Sequence, residues 1–165
     1  MMSGLPGVGK SAIANALALR LHAPVISVDP IEAAIVRSGI PKSFETGLAA
    51  YKAGAAMAQL QLELGMTVIA DAANYLEVGR DLWRSAAVTT AAVVKAIEVV
   101  CTDEAIHRRR LAARKRPLDP LVEPSWDDVL RWRAEFEPWT QQRLVLDSTR
   151  SIDANVVRAL TFLSE

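Results

Sequence analysis

Short apolar runs rich in valine and isoleucine alternate along the chain with longer stretches in which apolar residues recur every three to four positions. The first pattern predicts strands and the second predicts helices. In the first helical stretch, for example, Ile13, Leu17 and Leu21 fall on one face. Beyond the amino terminus, the predicted strands cover residues 25–28, 67–71, 93–102 and 144–147. The predicted helices cover residues 10–22, 31–37, 44–64, 76–88, 104–114, 125–137 and 151–163.

This alternation predicts an α/β fold in which a parallel sheet carries helices on both faces. We expect a single domain over residues 1–165, with no internal repeat. The first strand is unusual because only Met1 and Met2 precede Ser3. It is therefore expected to be very short, or to begin upstream of Met1. In the second case a longer chain should be more stable, because a truncated central strand removes hydrogen bonds from both neighbours.

Residues 3–12 read S-G-L-P-G-V-G-K-S-A and contain the P-loop pattern Gly4-x-x-x-x-Gly9-Lys10-Ser11. Glycines let successive backbone N–H groups surround phosphate oxygens, and the following helix turns its positive end to the anion. Lys10 would reach the β- and γ-phosphates, and the Ser11 hydroxyl would bind Mg²⁺. A simple glycine turn is the alternative, but the helix that follows favours the P-loop. The expected nucleotide-binding residues are Leu5, Pro6, Gly7, Val8, Gly9, Lys10, Ser11 and Ala12.

Three predicted strands end in an acid, namely Asp29, Asp71 and Asp147. In parallel sheets these ends form the binding crevice. Asp29 is a candidate catalytic base and substrate-orienting group, or the N-cap of the helix that begins at Pro30. Asp71 fits the pattern of an Mg²⁺-binding acid, with a loop-capping acid as the alternative. Asn74, just beyond, would contact substrate or shape its turn.

A strongly basic segment, H-R-R-R-L-A-A-R-K-R, covers residues 107–116 and leads into a proline-rich loop. We interpret residues 108–125 as a mobile lid over the nucleotide, in which Arg110 and Arg114 share a helix face and act on the phosphates. Arg108 is expected to bind the nucleotide. A solvated face or a nucleic-acid patch is the competing interpretation. Arg37 would lie near the acceptor or on the surface, and the nearby tryptophans are expected to pack rather than stack on a ligand.

Composition narrows the class of protein. Hydrophobic residues make up 51% of the chain and charged residues 23%, as in globular proteins. Its 19 basic and 19 acidic residues cancel, which argues against bulk electrostatic binding of nucleic acid. One cysteine, Cys101, excludes an intramolecular disulfide. With no membrane-length apolar run and no signal peptide before the P-loop, we expect a cytoplasmic monomer or homodimer.

On these motifs the chain resembles the small P-loop kinases of the shikimate, gluconate, chloramphenicol phosphotransferase and polynucleotide 5′-kinase kind. The resemblance rests on G-L-P-G-V-G-K-S, Asp29, V-I-A-D-A-A-N, R-R-R-L-A-A-R and L-D-S-T-R-S in the expected order. It implies a three-layer fold with five strands in the order 2-3-1-4-5. It also implies ATP as donor, Asp29 as base, lid arginines at the phosphates, and residues 147–150, including Arg150, beside adenine.

Sequences of this kind often carry the label "AAA family ATPase", although the chain is too short for a AAA module with its helical domain. It lacks the N-K-x-D motif of GTPases and the L-S-G-G-Q motif of ABC proteins. We therefore expect an ATP- and Mg²⁺-dependent kinase that phosphorylates a hydroxyl of a small molecule. Two alternatives stay open: a polynucleotide or nucleoside 5′-kinase, and a nucleotide-binding regulatory or toxin-like module with little turnover.

Overall fold

Five short parallel strands form the central sheet in the order β2-β3-β1-β4-β5, as the resemblance implied. The structure is a computed structural model that describes all residues from 1 to 165. The strands are β1 Met2–Ser3, β2 Val25–Ser27, β3 Ile69–Asp71, β4 Ala96–Val100 and β5 Arg143–Asp147. The helices are α1 Lys10–Leu21, α2 Val28–Arg37, α3 Phe44–Glu63, α4 Glu77–Val88, α5 Glu104–Ala113, α6 Trp126–Ala134 and α7 Ile152–Ser164.

Helices cover both faces of the sheet, and only the edge strand β5 leaves residues exposed, namely Arg143 and Val145. On one face α1 and α7 pack over a core that includes Ile13, Leu17 and Val156. On the other face α3 and α4 enclose a second core, and Trp83 is its largest member. This is the expected three-layer arrangement. None of the helices combines the length and the apolar composition that crossing a bilayer requires.

The first strand is as short as expected, yet it occupies the centre of the sheet. Met2 lies in register with Asp71 on one side and Ile97 on the other, and the Met1 carbonyl accepts a hydrogen bond from Ile97 N at 2.9 Å. Met2 and Ser3 are both buried. The greater stability expected of a longer chain stays a prediction.

Helix α2 begins earlier than the sequence predicted, and this moves Asp29. Strand β2 ends at Ser27, which is the N-cap, so Asp29 lies in the first helical turn. The predictions that Asp29 ends a strand or caps a helix at Pro30 are therefore wrong. Proline fits this first turn because N–H groups there have no intrahelical partner, and an acid there is favoured by the helix dipole.

A buried polar network fixes the loop after β3. Asn74 is fully buried in a left-handed conformation with φ 50°; its Nδ2 donates to Met2 O at 2.6 Å and its Oδ1 accepts from Trp83 Nε1 at 3.1 Å. Arg80, also fully buried, donates to the carbonyls of Asn74 and Glu137, both at 2.8 Å. Arg80 thereby ties this loop to the segment after α6, and no sequence motif indicated this role.

Candidate active site

The loop between β1 and α1 presents an unusual number of free backbone donors. The N–H groups of Gly7 and of residues 9–11 have no hydrogen-bond partner within the chain. Helix α1 has Gly9 as its N-cap, with φ 93° and no side-chain cap. The loop and the start of α1 line a cavity of about 600 Å³, here called the P-loop cavity. Unpaired amides at a helix N-terminus form an anion site, as the P-loop pattern predicts.

Lys10 and Asp71 form a buried ion pair beneath this loop. Lys10 Nζ lies 3.1 Å from Asp71 Oδ1, and the two side chains are 9% and 4% exposed. Apart from this ion pair, Asp71 Oδ1 has no hydrogen-bond partner. A buried carboxylate oxygen with spare acceptor capacity can bind a further positive charge.

These residues fit a magnesium ion. Ser11 lines the P-loop cavity, and Asp71 offers the oxygen without a hydrogen bond, so both supply the hard oxygen ligands that Mg²⁺ requires. No three histidine, cysteine or acidic side chains lie close enough together to hold a metal ion by themselves. Magnesium in this site would therefore take its remaining ligands from water and from phosphate oxygens, as it commonly does.

Helix α5 packs directly against the phosphate-binding loop. His107 is 1% exposed, and its Nε2 lies 2.7 Å from Pro6 O. Burial lowers the pKa of His107, although the hydrogen bond to Pro6 acts in the opposite direction. The ring is therefore neutral near pH 7 and donates its Nε2–H to the carbonyl. In the sequence His107 belongs to a basic segment, but its spacing of four from Leu111 is typical of a buried helix face.

Arg110 reaches the P-loop cavity from α5. Its two terminal nitrogens donate to Ser148 Oγ at 2.8 Å and to Ser148 O at 3.0 Å. Arg150 lines the same cavity. Although burial raises the pKa of Asp147, hydrogen bonds from Thr102 and Thr149 hold it at about 2, so this carboxylate stays ionised and fixes the loop after β5.

Arg108 does not line the P-loop cavity, so its role in nucleotide binding stays a prediction. Its side chain is half exposed, pairs with Glu104 at 2.9 Å, and lies 4.4 Å from the centre of the Trp126 ring. The reason is the rotation of α5. His107 and Leu111 set the buried face of this helix, which turns Arg108 away from the cavity.

A second cavity of about 520 Å³, here called the acceptor cavity, lies beside the first. Asp29 reaches it from α2, and Arg114 lines both cavities. The Asp29 carboxylate forms an ion pair with Arg116 and lies 3.8 Å from Arg114 Nη2. Glu123 pairs with the same two arginines, at 3.4 Å for Arg114 and 2.9 Å for Arg116.

This cluster joins the lid to α2. Burial lowers the pKa of Arg116, but bonds to Glu123 and Asp29 outweigh that and raise it overall. Burial and the neighbouring Arg116 lower the pKa of Arg114. Both guanidinium groups remain charged at neutral pH. Arg114 and Asp29 were predicted as site residues from the sequence, whereas Arg116 and Glu123 were not.

Two predicted substrate residues do not line the acceptor cavity. Arg37 donates to Asp119 O at 2.9 Å and so holds the lid backbone. Both ends of the Asn74 amide are bonded inside the protein, which fits the turn-shaping alternative and corrects its role as a substrate contact. Trp132 does line the acceptor cavity, whereas Trp126 packs edge-on against His107 with ring centres 4.9 Å apart.

Residues 1–138 match a protein-family model described as "AAA domain". The chain belongs to this AAA domain family. No curated protein matches the chain in sequence. Its fold is that of the small P-loop kinases, in agreement with the resemblance seen in the motifs.

Three solved structures with a similar fold illustrate this architecture. The first is the APS kinase CysC of Mycobacterium tuberculosis in complex with AMPPNP and APS, with 20% identity, 99% of this chain and 95% of that chain covered, and a TM-score of 0.75. The second is a sugar kinase from Janibacter sp. HTCC2649, with 21% identity, coverages of 99% and 92%, and a TM-score of 0.72. The third is a gluconokinase from Sinorhizobium meliloti 1021, with 17% identity, coverages of 99% and 89%, and a TM-score of 0.69.

Gly7 gives a direct test of the phosphate-binding loop. Its φ is 84°, and an added Cβ would lie 3.1 Å from Leu111 Cβ and 3.2 Å from His107 Cδ2. We predict that Gly7→Ala weakens ATP binding at least about tenfold, the equivalent of one lost hydrogen bond to a charged group. Isothermal titration calorimetry with Mg²⁺-ATP measures this.

The matched control is Gly39→Ala. Gly39 has a similarly positive φ of 99°, but nothing lies within 4 Å of an added Cβ. Both variants carry a backbone strain of about 1–2 kcal/mol, but only Gly7→Ala disturbs the loop between β1 and α1. Equal ATP affinities for the two variants would contradict a phosphate site at Gly7.

Proposed function

We propose that the protein is an ATP-dependent kinase that transfers the γ-phosphoryl group to a hydroxyl of a small molecule. One observation carries this proposal: the P-loop cavity and the acceptor cavity are separate spaces that meet at Pro6 and Arg114. A protein that only binds or hydrolyses a nucleotide needs the first cavity alone. A second cavity at the phosphate end, lined by a carboxylate, is what a two-substrate transfer requires.

In this proposal the P-loop cavity binds ATP. The free N–H groups of residues 7 and 9–11 hold phosphate oxygens, and Lys10 supplies a positive charge at their edge. Ser11 and Asp71 would hold the magnesium ion, which neutralises phosphate charge when bound. Arg110 and the loop of residues 147–150, including Arg150, form one side of the cavity. This side is proposed to bind the adenine end of ATP.

The acceptor hydroxyl would be aligned by Asp29. The hydroxyl oxygen of the acceptor would attack the γ-phosphorus, and the hydroxyl proton would pass to the Asp29 carboxylate. The bond between the γ-phosphorus and the β,γ-bridging oxygen would break, and ADP would leave. Arg114, which lines both cavities, is positioned to stabilise the charge on the transferring group. In this structure Arg116 forms an ion pair with Asp29, so the acceptor must displace Arg116 to reach the carboxylate.

The arginines beside the acceptor cavity support a small molecule over a nucleic acid. Arg114 and Arg116 are both paired with acids, and the unpaired cations of the basic segment, Arg109 and Lys115, lie outside this cavity. A strand of nucleic acid needs several uncommitted cations along its backbone. The solved kinases with this fold are named for sugar, gluconate and APS, which also supports a small acceptor, while identities of about 20% leave its identity open.

The first test of this proposal is acceptor-dependent ADP release. A panel of hydroxylated small molecules should contain at least one that raises steady-state ADP production and yields a phosphorylated product by mass spectrometry. Lys10→Ala should abolish that production, because the variant loses the buried charge next to the phosphates. Unchanged ADP production by Lys10→Ala would contradict the site, and ATP binding without any acceptor-stimulated release would favour a regulatory module.

Asp29→Asn tests the proposed base. It should leave ATP affinity largely unchanged and lower the transfer rate on the order of 10²-fold or more. Glu123→Gln is the matched control, because it also disturbs the arginine cluster but keeps the Asp29 carboxylate. Single-turnover transfer rates separate the two roles. Equal losses in both variants would mean that Asp29 acts only by holding the lid.

A further inference from the structure

The acceptor cavity contains four acidic and four basic side chains, and most of them neutralise one another. Arg114 and Arg116 are paired with Asp29 and Glu123, as described above. Arg131 pairs with Asp128 at 2.6 Å. Every guanidinium group that lines this cavity is therefore bound to a carboxylate. A planar guanidinium is the usual partner of a substrate carboxylate, phosphate or sulfate, and none is free here.

Glu32 is the one acid of this cavity that has no partner. It lies on α2, half-buried, and makes neither a hydrogen bond nor an ion pair. Its Oε1 is 3.8 Å from the position that a Cβ on Gly47 would occupy, so it lies against α3. Burial raises the pKa of Glu32, and the charge of Asp29 adds to this, while Lys42 opposes it. A cation placed beside Glu32 would relieve this unfavourable environment.

Lys42 is the one basic side chain of the cavity without an ion pair, and it is more exposed than Glu32. Its side chain is exposed at the segment between α2 and α3, with no ion pair. An exposed ammonium group on a flexible four-carbon stem can turn into water at little cost. The half-buried carboxylate has no such freedom, so Glu32 is the stronger determinant of the charge of a ligand.

The remaining wall of the cavity is apolar. Tyr75 and Trp132 lie with ring centres 6.2 Å apart, and they face aliphatic residues from α3 and the lid. An apolar or aromatic body would bury surface here, and aromatic faces also attract ammonium groups. The aliphatic and aromatic lining includes Phe44, Leu48, Leu76, Leu121, Val122 and Trp132.

We propose that the phosphoryl acceptor is a cationic amino alcohol with an apolar body, whose ammonium group pairs with Glu32 while its hydroxyl faces Asp29. This inference rests on the proposed kinase function and specifies its substrate class. An anionic acceptor is disfavoured because its charge would meet Glu32, and because the Arg116 that an acceptor displaces from Asp29 stays paired with Glu123.

Three matched probes test the charge preference. They are 2-amino-1-phenylethanol, its N-acetyl derivative and mandelate, which share a hydroxyl beside a phenyl ring and carry a positive, zero and negative charge. Binding of each to the protein saturated with AMPPNP and Mg²⁺ is measured by calorimetry. We expect the affinity to fall in that order, with the amine at least about tenfold tighter than mandelate, the effect of one charge-assisted contact.

Two variants with opposite charge changes identify the group responsible. Glu32→Gln should remove the preference for the amine, whereas Lys42→Gln should leave or strengthen it. If the site instead recognises anions through Lys42, mandelate should bind most tightly. Lys42→Gln should then remove that preference, and Glu32→Gln should leave or strengthen it. Thermal melting of each variant, with AMPPNP titration as a check on the P-loop, confirms that the protein is folded and binds nucleotide.

The outcomes separate this inference from the proposed function. Tightest binding of mandelate, equal binding of all three probes, or no binding of any probe would overturn the amino alcohol class. An amine preference that survives in Glu32→Gln would overturn the role of Glu32. Phosphorylation of an anionic alcohol by the wild-type protein would overturn the class and leave the kinase function intact. Failure to bind AMPPNP would overturn the kinase function itself.

Discussion

The chain between β1 and α1 must turn at once from a buried central strand into a helix while leaving its N–H groups free. Gly4 makes this possible because its φ is 142° and an added Cβ would lie 2.4 Å from Val99 O on β4. No other residue fits so close to a neighbouring strand. The rest of the site is arranged around this constraint. Asp71 comes from the adjacent strand, and His107 and Leu111 hold the loop from the side.

The parallel sheet and the glycine loop after β1 could be predicted from sequence because both depend on local patterns, whereas the strand order was implied only by the resemblance to small P-loop kinases. Alternating strands and helices predict a parallel sheet, and the spacing of Gly4, Gly9, Lys10 and Ser11 predicts the loop. Asp71 follows from an apolar strand that ends in an acid. In each case neighbouring residues in the sequence are neighbours in the structure, or topology rules bring them together.

The lid contacts could not be predicted in this way. Arg116 is 87 residues from Asp29 in sequence, and their pairing depends on the path of a proline-rich loop. Which arginines of α5 face the P-loop cavity depends on which face of the helix is buried. The spacing of His107 and Leu111 indicates that face, but within a run of basic residues His107 is easily taken for an exposed one. Asp29 lies in the first turn of α2 and not at the end of a strand, because α2 begins immediately after β2. Its catalytic role stays a proposal.

A crystal structure of the protein with AMPPNP and Mg²⁺ tests the central claim most directly. The triphosphate should lie against the backbone N–H groups of residues 7–11, with its γ-phosphate at the junction of the two cavities and the Asp29 carboxylate facing it. Phosphates bound elsewhere on the protein, or Asp29 directed away from the γ-phosphate, would contradict both the assignment of the P-loop cavity and the proposed transfer.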